Sequence, residues 1–167
     1  MLANKFVLMS AAALALGMAA AQGVSAQSGA SDTDKAVQNY KAALDAAYMP
    51  GYWNGSFEEL DASGKVIDSN TTPSCIAADD QQSFSSTMVE AVAMIRNTGN
   101  CTSTSGGPGS LNFSLTCKTA NGDMLSFVST GSYKPGVSSE LRITIGMPGS
   151  ESTMHVTSQK VSDNCPK

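Results

Sequence analysis

Four cysteines lying downstream of an apolar leader constrain this chain more than any other feature. Cys75, Cys101, Cys117 and Cys165 all follow an amino-terminal segment in which Lys5 precedes an apolar run from Phe6 to Ala21, and Val24-Ser25-Ala26 closes that run. This is the layout of a secretory signal peptide, with cleavage expected after Ala26. A membrane anchor is the weaker reading, because a spanning helix needs about 20 consecutive apolar residues and Ser10, Gly17, Gln22 and Gly23 interrupt this one. An even number of cysteines behind such a leader favours two disulfides over thiols or metal ligands. A four-cysteine zinc site would draw on close pairs, whereas the gaps here are 25, 15 and 47 residues. Three pairings are open, and cysteine spacing alone does not choose among them. Folding the chain about Pro108-Gly109 brings Cys101 within a residue of register with Cys117, so the preferred pairing is Cys101 with Cys117 and Cys75 with Cys165.

Loss of residues 1–26 leaves about 140 residues, enough for one domain with a modest core. The expected organisation is a signal peptide over 1–26, an extension with a helix over 27–49, and a disulfide-stapled β-rich domain over 50–167. The net charge of -4 and the lack of a basic stripe argue against nucleic acid as a partner. No later segment is apolar enough to span a bilayer, so no membrane span is expected after signal cleavage.

From Ser31 to Tyr48, Ala36, Val37, Tyr40, Ala43, Leu44 and Ala47 recur at three- and four-residue spacings, which predicts an amphipathic helix. Pro50-Gly51 ends it. Tyr52 to Leu60 and Lys65 to Thr72 read as strands around the turn Asp61-Ala62-Ser63-Gly64. A helical insert follows Cys75, best marked from Thr87 with Glu90 completing a capping box, and Asn97-Thr98-Gly99 stops it. Beyond Cys101, Leu111 to Lys118, Met124 to Tyr133, Glu140 to Gly146 and Ser152 to Val161 alternate in part and are separated by Pro/Gly/Asn turns. Leu141, Ile143 and Ile145 fall on one face, Arg142 and Thr144 on the other. The expected fold is α+β: a predominantly antiparallel, curved sheet of about seven strands in a meander, with an amino-terminal amphipathic helix, one helical insert and two disulfides.

Pro50-Gly51-Tyr52-Trp53, Cys75-Ile76, Cys101, Cys117 and a closing Asp163-Asn164-Cys165 together form a pattern. It resembles a family of small exported proteins of Gram-negative bacteria, domain of unknown function 3617. The likeness covers Pro50 to Cys165 and leaves the first helix outside. The family's final Gly-Asp-Cys is replaced here by Ser162-Asp163-Asn164-Cys165, and Ala77-Ala78 stands where a Thr-Pro pair often follows the first cysteine. The resemblance implies a periplasmic address and structural cysteines, and assigns no activity.

Chemistry-bearing residues are few. His155 is the single histidine, and no serine stands in a Gly-x-Ser-x-Gly elbow, so a hydrolase built around His155 is a minor alternative. Glu58 and Glu59 are adjacent on a predicted strand and point to opposite faces, and Asp79-Asp80 read as helix-capping charges, which weakens paired-carboxylate chemistry. Met147, Met154 and His155 share one predicted hairpin, and thioether with imidazole suits copper in an oxidising compartment, although Met88 and Met94 read as ordinary helix packing, the simpler use of methionine. Tyr52, Trp53 and Phe57 are candidates to line a ligand cleft, against the simpler role of Trp53 as a core anchor. The expected function is a non-enzymatic periplasmic binding or envelope-accessory module, without a cofactor, whose partner is a small apolar ligand or another envelope protein.

Overall fold

The computed structural model describes residues 27–78 and 81–166. The expected signal peptide and the Asp79-Asp80 cap lie outside the described residues. Two helices and seven strands follow in the order α1 (Gln27–Ala47), β1 (Gly51–Leu60), β2 (Val66–Ile76), α2 (Gln81–Arg96), β3 (Gly99–Ser105), β4 (Phe113–Thr119), β5 (Met124–Lys134), β6 (Ser138–Met147) and β7 (Ser150–Ser162). Helix α1 begins four residues before Ser31, since no proline or β-branched run stops it there. Helix α2 likewise begins ahead of Thr87, so the capping box sits within a helix already started. It ends where expected: Thr98 returns its backbone N–H and its hydroxyl to the Ile95 carbonyl, and β3 starts at Gly99.

The strands form one open antiparallel sheet in the order β2-β1-β7-β6-β5-β4-β3. From β3 to β7 it is the meander that the local turns imply. The β1–β2 hairpin then joins at the last strand, with Leu60 opposite Thr153 and Tyr52 opposite Ser162. The hairpin turn is set by Asp61, whose Oδ1 accepts hydrogen bonds from the Ser63 N–H and hydroxyl and from the Lys65 N–H. These donors hold the Asp61 carboxyl below the usual aspartate range, the Ser63 hydroxyl most of all. Strand β2 is a sheet edge and is largely exposed; Asp68 and Pro73 on it discourage further pairing.

One face of the sheet carries the core. Phe113, Leu115 and Cys117 of β4, Phe127 of β5, and Leu141 and Ile143 of β6 are buried on it, and both helices cover them. Helix α1 contributes Tyr40, Leu44 and Ala47, all nearly sealed from solvent. The Tyr40 ring stacks on Phe113 at 4.7 Å and meets Phe127 edge-on at 6.2 Å. The helix of the segment set apart at 27–49 therefore shares one core with the strands that follow it. Two buried hydroxyl pairs pin α1 to the sheet: the Tyr40 hydroxyl donates to Ser129, which donates to the Leu111 carbonyl, and Ser139 donates to the Tyr48 hydroxyl.

The structure pairs Cys101 with Cys117 and Cys75 with Cys165. The first bridge lies between directly opposed residues of β3 and β4, with Cα atoms 4.0 Å apart. The second spans 90 residues of sequence and ties the end of β2 to the chain beyond β7, across β1. By chain entropy the long loop stabilises by roughly 4–5 kcal/mol and the short one by about 3 kcal/mol. Replacing Cys75 and Cys165 by alanine is therefore expected to lower the urea unfolding midpoint more than replacing Cys101 and Cys117, a ranking that denaturation of the two double variants reads directly.

Burial pushes the Tyr40 phenol up to about 12, against the opposing pull of its hydrogen bond to Ser129. Because the folded value exceeds the unfolded one of about 10, the contribution is intact below pH 10 and is lost as pH rises toward 12. Unfolding experiments should show a loss of roughly 1 kcal/mol between pH 9 and 11 in the native protein. Tyr40→Phe is expected to be about 1 kcal/mol less stable at neutral pH, through the broken hydrogen bond, and to lose less on alkalinisation.

Candidate functional site

The outer face of the sheet, opposite the helices, carries most of the exposed chemistry. Antiparallel pairing puts directly opposed residues on the same face. Thr130 lies opposite Arg142, Arg142 opposite His155, and His155 opposite Glu58, which makes one row across β5, β6, β7 and β1. The next row holds Ser132, Glu140, Thr157 and Ser56. Along each strand these residues alternate with inward ones, so Arg142 separates Leu141 from Ile143 and His155 separates Met154 from Val156.

His155 is half-buried and held at both ends. Its Nδ1 is 3.2 Å from Glu58 Oε2, and its Nε2 is 3.2 Å from Glu140 Oε1. A neutral ring has one N–H and donates to one carboxylate; an imidazolium donates to both. With a carboxylate at each end of the ring, no single ion contacts all three groups, and among the described residues no cluster of three His, Cys, Asp or Glu is arranged to hold a metal. The Arg142 side chain forms no hydrogen bond or ion pair among the described residues, although Glu140 stands two residues away on the same face. Beside it is an open depression of about 400 Å³, lined by Leu60, Thr130, Ser132, Glu140, Arg142 and His155. Gly131 adds only backbone, and β5 runs so close to β6 there that a Cβ would strike the Glu140 carbonyl oxygen.

The residues singled out from sequence are distributed differently. Met154 packs with the core on the inner face, opposite Ile143, while His155 points outward. Met147 sits at the hairpin end opposite Ser150, about 13 Å along the strand from the level of Met154. The Met147, Met154 and His155 side chains do not converge. Trp53 is 1 % exposed; its indole N–H donates to the Met49 carbonyl and its ring tilts against Tyr48 at 5.8 Å. It locks the turn from α1 into β1, where Gly51 has φ +145° and a Cβ would meet the Lys160 side chain and the Ser162 carbonyl. Tyr52 and Phe57 are half-buried on opposite faces of β1, so the three aromatics line no common cleft. Neither ring nitrogen of His155 meets a serine or threonine hydroxyl; both face carboxylates.

Glu140 and Arg142 were placed in no candidate site by the sequence. The signal for Arg142 was present, since its outward direction follows from the alternation of β6. What was missing was the register that sets Arg142 beside His155.

These features define a two-disulfide α+β domain with a helix-covered sheet and a charged patch on the sheet's free face. A family model described as Protein of unknown function (DUF3617) matches residues 48–165. The chain belongs to that family. No curated protein and no solved structure matches it.

With Met154 and His155 on opposite faces, the change of both to alanine is expected to leave Cu(I) affinity unaltered. Titration of the purified domain against a competing Cu(I) chelator checks this; a loss of roughly tenfold or more would overturn the placement of the two residues.

Proposed function

We propose that this protein is an exported, non-enzymatic module of the bacterial envelope, and that the depression beside His155 on the outer sheet face recognises a small polar solute. The observation that carries the reading is Arg142, an exposed guanidinium without a partner among the described residues, next to an imidazole already bridged by two carboxylates. An unpaired cation beside fixed acceptors is a recognition surface, because its hydrogen bonds are left for a ligand to complete. A hydrolytic role is less well supported: His155 Nε2, the atom that would take a proton from a nucleophilic hydroxyl, faces Glu140 instead. A small apolar ligand is less well supported around Trp53, since that ring is in the core.

Support for the address comes from the leader sequence and from two disulfides, which persist in oxidising compartments. Among the described residues no helix is long and apolar enough to cross a membrane.

Protein purified from its native cells is expected to begin at Gln27 and to carry no free thiol, as intact-mass and thiol-labelling measurements would read. Small-solute extract from the same envelope should shift the backbone amide resonances of Thr130, Arg142 and His155. An extract that moves none of them overturns the binding reading, and a reduced, uncleaved chain overturns the address.

A further inference from the structure

Charge balance around the depression narrows what it can hold. Arg142 is one positive charge; Glu58 and Glu140 are two negative ones, and His155 lies between them. A net anion drawn to Arg142 would meet the Glu140 carboxylate in the same depression, with Glu58 behind His155, and a net cation drawn to Glu140 would meet the guanidinium. A net-neutral ligand with separated charges satisfies both. Arg142 and Glu140 are two residues apart on β6 and share its outer face, which sets their Cα atoms about 7 Å apart. That span suits two opposite charges carried on one carbon, each reached through one hydrogen-bonded contact.

The remaining groups are consistent with the same ligand. Glu140 uses Oε1 on His155 and has Oε2 without a hydrogen bond among the described residues. The guanidinium is a fork that grips a carboxylate through two parallel N–H donors. Leu60 supplies apolar wall at one side of the depression, and the Thr130 and Ser132 hydroxyls stand at the other.

We propose that the depression binds the zwitterionic head of a free α-amino acid, its carboxylate on Arg142, its ammonium on Glu140 Oε2 and an aliphatic side chain against Leu60. His155 is a positioning residue: bridging Glu58 and Glu140, it fixes the Glu140 carboxylate in the orientation that leaves Oε2 free. This assignment rests on the binding reading above and names its ligand class.

The test titrates the whole mature domain with L-valine, with isovalerate, which lacks the ammonium, and with isobutylamine, which lacks the carboxylate, following the amide resonances of Thr130, Arg142 and His155. L-valine is expected to shift all three and to bind at least roughly tenfold more tightly than either truncated compound. Arg142→Gln and Glu140→Gln should each weaken valine by roughly tenfold or more while leaving the rest of the spectrum in place, which separates loss of binding from loss of fold. Isovalerate binding as tightly as valine would overturn the proposal in favour of an anion site, and isobutylamine doing so would overturn it in favour of a cation site. If valine moves none of the three amides while envelope extract does, the amino-acid assignment falls and the binding reading stands. If neither moves them, both fall.

Discussion

The pairing of β1 with β7 is the constraint on which the rest of the structure depends. Every other strand contact joins neighbours in sequence through a short turn, whereas Leu60 meets Thr153 and Tyr52 meets Ser162 across most of the domain. Closing so long a loop costs entropy that local turns do not incur. The Cys75–Cys165 bridge offsets part of that cost, because it joins β2 to the chain beyond β7 and leaves β1 held between them. The same ladder builds the polar patch: Glu58 reaches His155 only because β1 lies against β7 in this register. Scaffold and site thus share one long-range contact.

Much of the fold was legible because its signals are local. The three- and four-residue spacing of Tyr40, Leu44 and Ala47 marks α1, and the alternation of Leu141, Ile143 and Ile145 marks β6, since each pattern reflects burial of one face. Turn chemistry at Asp61 to Gly64 locates the first hairpin to within a residue, because the side chain itself makes the turn's hydrogen bonds. The symmetric position of Cys101 and Cys117 about Pro108-Gly109 gave their pairing for the same reason. Element beginnings were less legible. Helices α1 and α2 both extend ahead of their best capping signals, as weak helix formers continue once tertiary packing supports the turn after them.

The site was much less legible. Met147, Met154 and His155 are close in sequence and separate in space, since adjacent strand residues face opposite ways and the hairpin end lies four residues from the level of Met154. Glu58 is distant in sequence from Glu140, Arg142 and His155 and shares one patch with them in space. Composition cannot reveal such a row, because it exists only once three register choices are made together. The lone tryptophan misleads in a similar way: as a large aromatic it suits a ligand wall, but here its N–H and its area are both used in closing the step from helix to sheet.

The nested arrangement of the two bridges has a consequence for biogenesis. A polypeptide is made from its amino end, so Cys75 becomes available well before Cys165, and Cys101 and Cys117 both appear in the interval. Nearest-neighbour oxidation in order of emergence would join Cys75 to Cys101, a non-native link that removes both bridges at once. Maturation to the native isomer therefore demands either that the Cys101 thiol be claimed first by its partner across the β3–β4 ladder, or that a thiol-exchange catalyst undo the premature bond.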